Sequence, residues 1–307
     1  MNREHTAAAD WLLLIVPGVI WGASFLFIAE GLEAIGPNGV TFVRIVIGFA
    51  TLGLFPAAWR PVERRDWGAV ALLGVVWFAF PLSMFPHAEQ SVSSAVTGML
   101  NGAVPLFVAI VTSSLTRTLP SRGVAMGLGV GVVGATLIAL PALHEGRSSA
   151  AGVLLILAAL VCYGFALSIA RPLQSRYGAL PVIWRAQAVA MILTAPLGAP
   201  DLVTARWSRG PLLSMFALGA LGTGIAFVLH TISAGRLGAT RASATAFLIP
   251  GVALILGVVV RGERVAVLSM IGCGLCVAGA WLMRRAASHA EPLLPRLRRK
   301  AVALTRF

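Results

Sequence analysis

The sequence predicts an all-α membrane protein: ten transmembrane helices in two inverted five-helix repeats. Three observations lead there. The 307-residue chain is 58% hydrophobic and only 11% charged, with a mean hydropathy of +0.89. Its apolar residues fall into runs of bilayer length. Motifs of the first half return in the second at an offset near 145 residues.

A soluble domain carries about 25% charged residues, so this chain cannot coat a water-facing globule of its size. A hydrocarbon core of about 30 Å takes roughly 20 helical residues. On that ruler the spans lie at 11–30, 38–58, 67–85, 91–115, 123–140, 150–170, 179–198, 211–231, 239–260 and 265–283. The first run, Trp11 to Ala29, outlasts a signal-peptide core of about 7–15 residues. The gaps hold turn residues: Gly36-Pro37-Asn38, Pro61 to Asp66, Leu119-Pro120-Ser121 and Arg206 to Pro211. The organisation expected is a cytoplasmic N-terminus (1–10), two repeats (11–140 and 150–283) and a basic cytoplasmic tail (284–307).

A net charge of +13 would suggest nucleic acid in a soluble protein. Here the basic residues sit in gaps between spans, where they set orientation. With the N-terminus inside, 17 basic residues fall inside and 5 outside, leaving Arg44 and Arg185 within spans. Both termini are therefore expected in the cytoplasm, and no nucleic-acid partner is expected. Lys300 is the single lysine against 23 arginines, as in GC-rich bacterial genomes, so the expected location is a bacterial inner membrane. Membrane lipids are the surroundings.

The repeat reads best in its second half. A shift of 145 aligns Pro105 with Pro250, Gly127 with Gly272, Gly134 with Gly279 and Ala135 with Ala280. At slightly smaller offsets Trp21-Gly22 resembles Tyr163-Gly164, and Arg44 falls opposite Arg185. Five helices is an odd number, so a second copy enters the membrane from the other side. Inverted repeats recur in secondary transporters, with the substrate near the midplane between the copies.

Matching helix breaks point to such a site. Proline removes a donor and frees the carbonyl four residues back, which is Asn101 for Pro105 and Ala246 for Pro250. Asn101 adds an amide at that level, and Thr97 lies one turn earlier on the same face. A kink that only shapes packing is the competing reading. Arg44 and Arg185 lie inside spans, where charge is costly; each either snorkels or bonds a neighbouring helix, or serves substrate or gate. Glu30, Glu33 and Glu89 fall near outer span ends, so a central proton-relay acid is not evident. His230 is the one intramembrane group able to titrate near neutrality, which keeps a coupling proton as a candidate partner.

Trp11, Trp59, Trp67, Trp207 and Trp281 fall at expected interfaces, as an aromatic belt. Trp21 and Trp77 lie deeper; with Phe80, Met84 and Tyr163 they are candidates for an aromatic cavity lining, set against plain packing. Cys273-x-x-Cys276 spells a metal or redox pair but lies inside an apolar helix with no second pair, and reads as small-residue packing. Gly22-Ala23-Ser24 begins like a hydrolase elbow, but Leu26 stands where its glycine belongs, so Ser24 reads as a packing or lining residue. No P-loop and no His-Glu-x-x-His is present, and no cofactor or metal is expected.

Several stretches together resemble the EamA-like branch of the drug/metabolite transporter superfamily. They are Trp21-Gly22-Ala23-Ser24-Phe25, the run from Gly235 to Ser243, Phe247-Leu248-Ile249-Pro250, Gly262-Glu263-Arg264 and Gly272 to Gly279. The first copy repeats the order in Ser91 to Pro105 and Gly127 to Gly134, but has Thr118-Leu119 where the second has Glu263-Arg264. The resemblance implies ten helices and export or exchange of a small metabolite or drug-like compound without ATP. It also implies a cavity lined by the first, third, fourth, sixth, eighth and ninth helices, which brings in Phe227. The reading is a secondary active transporter, not an enzyme, with a small-molecule substrate, working as monomer or homodimer by alternating access. An intramembrane enzyme or a passive channel is the alternative.

Overall fold

The computed structural model describes residues 3–144, 147–237 and 242–290. All its regular elements are helical. They are α1 (Arg3–Leu32), α2 (Pro37–Gly53), α3 (Arg64–Ala88), α4 (the bent pair Ser94–Asn101 and Val104–Thr116), α5 (Arg122–His144), α6 (Arg147–Tyr177), α7 (Ala179–Val203), α8 (Arg209–Leu237), α9 (Ser243–Arg261) and α10 (Val267–Ala290). Among the described residues eight of these helices are long and apolar enough to cross a membrane, α4 qualifies as a pair bent by 41°, and α2 is a shorter apolar helix. The chain is an all-helical, multi-pass membrane protein. Residues 238–241, including Arg241, and the tail beyond Ala290 lie outside the described residues.

Local chemistry sets the ends. Pro37 occupies the first turn of α2, where its missing N–H costs nothing. The Ser93 hydroxyl accepts from the Val96 N–H and caps α4. Gly262 closes α9 at φ 64°, a left-handed turn that glycine enters without strain; Arg117, 145 residues earlier, closes α4 at φ 52°. The second span stops at Gly53 rather than at residue 58: Pro56 supplies no donor to extend the helix, and a 3₁₀ turn, Pro56–Trp59, follows.

Three further departures from straight helix occur in matched places. Helix α4 breaks at Gly102 and Ala103, with Pro105 in the first turn of its second piece. Helix α9 opens with a 3₁₀ turn, Ser243–Phe247, ahead of Pro250. Both α3 and α8 contain a π-helical stretch, Gly74–Ala79 and Leu218–Ile225, again about 145 residues apart. Such stretches are rare and gather at functional sites.

Glycines decide how closely the helices pack. In lipid, association depends on contact and polar bonds, and small residues let backbones meet. Gly127 lies against the Gly279 carbonyl and Gly134 against Gly272, so the two matched glycine pairs meet crosswise between α5 and α10. Cys276 fills the same seam, its thiol reaching the Gly131 carbonyl at 3.4 Å. Between α4 and α9, Gly98 abuts Ala253 and Gly102 abuts Pro250, bringing the two breaks together. The core falls into two clusters, one around Phe25, Phe85, Leu100 and Leu160, the other around Ile45, Leu52, Phe78 and Ile183. Trp11, Trp59, Trp67, Trp207 and Trp281 are all exposed, as residues of an interfacial belt would be.

Candidate functional site

The connections 33–36, 89–93 and 262–266, with residues 204–206, gather at one end of the bundle, here the odd-loop face. A cavity of about 780 Å³ lies there, walled by the ends of α1 and α9 and the α3–α4 junction. Ligand pockets typically measure about 300–1,000 Å³. Its charged lining residues are Glu33, Glu89, Arg206, Arg261 and Glu263. Arg261 pairs with Glu30 on α1 and with Glu33 just beyond it, and approaches Glu263 at 3.8 Å.

Two carboxylates at this face serve as helix caps, where the exposed N–H groups and the helix dipole favour an anion. Glu263 accepts from the Ser94 N–H at 3.0 Å, the Ser94 hydroxyl at 2.7 Å and the Ala95 N–H at 2.8 Å, so the end of α9 caps the start of α4. The turn at Gly262 aims that side chain. The Asp201 carboxylate, at the end of α7, likewise accepts from the Gly39 N–H at 2.8 Å and caps α2. Glu89 stands apart: both its oxygens are closed off from solvent and neither has a hydrogen-bond partner.

Deeper in, the π stretch of α8 forms a polar hub. Its wider turn bonds over five residues and redirects groups that an α-helix would tie up. The Thr223 hydroxyl donates to the Leu218 carbonyl at 3.0 Å and accepts from the Arg44 Nε at 3.3 Å. Gln187 on α7 donates to the Thr223 carbonyl at 2.8 Å, and the Trp21 indole on α1 donates to the Gly222 carbonyl at 3.0 Å. One turn of α8 thus binds α1, α2 and α7. Arg44 is buried and held by a neighbouring helix.

Beside this hub lies an aromatic cluster. The Trp21 ring sits 5.4 Å from Phe227 and 5.3 Å from His230, and Phe227 lies 5.8 Å from Trp77 and 5.7 Å from Phe78. The His230 Nδ1 is buried without a partner. Ser24 is buried facing Gly222, with its hydroxyl donated to the Ile20 carbonyl. Met84 is in the core near Phe85, whose ring lies 6.1 Å from Tyr163. Thr97 is fully buried with its hydroxyl spent on the Ser93 carbonyl. Asn101 ends the first piece of α4, half-buried at the break where Gly102 meets Pro250, and Pro105 follows on the second piece.

Two candidates lie elsewhere. Phe80 is 53% exposed on the outside of α3, beside a shallow groove with Asn38 and Thr194. The π stretch Gly74–Ala79, which includes Trp77, departs from 3.6-residue spacing just before Phe80. Arg185 sits near the opposite end of the bundle, donating to the Ala58 and Pro181 carbonyls at 3.1 Å each, with its guanidinium 5.6 Å from the Trp184 ring. Sequence reasoning passed over Gln187 and Thr223, and took Glu89 only as a residue near an outer span end. The available signals were a glutamine mid-span and the crowding of Gly219, Gly222 and Gly224.

A model of the EamA-like transporter family matches residues 10–140 and again residues 150–285. The chain belongs to the EamA-like transporter family. Among EamA-like relatives, a probable terminal-alkyne amino-acid exporter of Streptantibioticus cattleyicolor is 27% identical, over 90% of this chain and 93% of its own. The inner membrane transporter YedA of Escherichia coli strain K12 is also 27% identical, over 84% of this chain and 85% of its own. A crystal structure superposes with a TM-score of 0.61 at 21% identity, covering 93% of this chain and 99% of that one, which speaks for the fold. The family and its relatives are transporters, which points away from an enzyme.

Proposed function

We propose that this EamA-like protein is a secondary active exporter of a small metabolite, working by alternating access between two inverted five-helix halves, 11–140 and 150–283. The observation that carries the reading is the pairing of departures from straight helix. The α4 and α9 breaks touch at Gly102 and Pro250; the π stretch of α3 carries Trp77 and Phe78 of the aromatic cluster, and that of α8 ends two residues before Phe227. Helix breaks and π stretches are hinges and sources of freed backbone groups. The mutual contact of the matched glycines of α5 and α10 is what a two-fold axis in the membrane plane would produce.

In this reading all ten helices span, with α2 as the shortest, both termini are cytoplasmic, and the odd-loop face is outside. The conformation is then open to the outside at the cavity, and the aromatic cluster forms the floor that must part for loading from within. A cavity lined by both the partnerless Glu89 and Arg206 suits a zwitterion, and the likeness to an amino-acid exporter supports an amino-acid-like substrate. The test is a metabolite comparison of medium from cells with and without the protein. Accumulation of an amine-bearing solute outside expressing cells is expected; accumulation of a chemically altered solute, or no difference, would overturn the reading.

A further inference from the structure

Among the described side chains, every carboxylate but one has an ion-pair or hydrogen-bond partner. The exception is Glu89. It lines the cavity at the α3–α4 junction, with both oxygens closed off from solvent and unbonded. An ionised carboxylate left so is costly, because burial strips its water and nothing replaces it. A carboxylic acid there is not. Glu89 therefore needs either a proton or a donor that the cavity brings to it.

The groups that face it settle which. From α9 and its following turn come Arg261, already committed to Glu30 and Glu33, and Glu263, committed to capping α4. From the α1–α2 connection comes Glu33, from the α7–α8 connection Arg206, and from α2 Arg44, bonded to Thr223. Tyr163 on α6 lies near Arg44. Burial first, and the Glu263 charge next, push the Glu89 carboxyl well above the usual carboxylate range, against the pull of Arg44 and Arg261. Of the groups of opposite sign, Arg261 and Arg44 are held by other partners and Arg206 makes no bond to Glu89, so Glu89 is left to a mobile donor. Among the described residues no cluster suits a metal ion.

We propose that Glu89 is the release switch of the cavity: as a carboxylate it holds the cationic nitrogen of the substrate, and a proton taken up at the odd-loop face displaces that nitrogen. The step forms one O–H bond on a Glu89 oxygen and breaks one O–H bond of a hydronium ion in the cavity, which is left as water, while the ion pair to the substrate ammonium parts. The conformation described is the protonated one. The inference rests on the transporter reading above and names the substrate's chemical class, an amine.

Two measurements on the full chain test it. In detergent, a hydrophobic carbodiimide attacks buried protonated carboxyls; peptide mass spectrometry should find the adduct on Glu89, fading as the pH is raised. No adduct, or one that ignores pH, overturns the proposal. In proteoliposomes loaded with mixed amino acids and propargylglycine, efflux of amine-bearing solutes should accelerate several-fold when the odd-loop side is acidified. Glu89→Gln should be slower and indifferent to pH, while Glu89→Asp, which keeps a carboxyl, should regain the dependence if Glu89→Gln folds poorly. Efflux equally pH-sensitive in Glu89→Gln, insensitive in the wild type, or confined to solutes without an amine overturns it. No efflux of any solute would sink the transporter reading itself, a failure the carbodiimide result identifies separately.

Discussion

Arg44 and Arg185 occupy matching places in the two halves of the sequence and have opposite surroundings in the fold. Arg44 is buried and bonded to Thr223, within a hub that joins α1, α2, α7 and α8. Arg185 reaches out to carbonyls of its own helix end and of the 3₁₀ turn Pro56–Trp59, with Trp184 beneath it. Depth in the span is similar; what differs is the neighbour. Thr223 waits for Arg44 because the π stretch of α8 turns its hydroxyl that way, whereas Arg185 faces a helix end where backbone carbonyls are available. Of these two arginines only Arg44 is drawn into the interior.

That contrast can be broken or sharpened by substitution, with solute efflux from proteoliposomes as the readout. Arg44→Ala removes the charge and the Thr223 bond. A hydrogen bond to a charged group is worth about 1.5–3 kcal/mol, so at about 1.4 kcal/mol per tenfold efflux should drop about 10- to 100-fold. A monomeric, heat-stable elution profile would separate this from unfolding. Thr223→Val keeps the shape but leaves the Arg44 Nε unbonded, and should cost roughly tenfold; wild-type efflux in this variant would detach Arg44 from the hub. Asn101→Ala, at the α4 break, should lower efflux several-fold with expression intact, and unaltered kinetics would remove Asn101 from the site. Arg185→Ala loses two hydrogen bonds and a cation–π contact, but all three lie at a helix end away from the hub, so efflux should stay within about twofold of the wild type. A large loss there would erase the contrast.

Much of the fold was legible because lipid imposes it. Apolar runs of bilayer length read directly as helices, and Pro37, Pro105 and Gly262 mark turns and breaks by their own geometry. The site was legible only in part. Trp21, Trp77, Phe227 and His230 do come together, since deep aromatics in adjacent spans have few other places to go. Phe80 lies exposed beyond a π stretch, whose course is decided by packing between helices, not by residue spacing. Glu89 read as an outer-end residue because its burial depends on chain brought from residues 29–37 and 261–263, far away in sequence. Gln187 and Thr223 meet only through the redirected carbonyl of α8.

The most direct test of secondary transport between the two halves is counterflow. Liposomes carrying the wild type, Arg44→Ala or Arg185→Ala would be loaded with unlabelled solute and given a trace of the labelled solute outside. Saturable, trans-stimulated entry is expected for the wild type and Arg185→Ala, and near-loss for Arg44→Ala. Entry that never saturates and ignores the solute within would describe a channel and contradict alternating access.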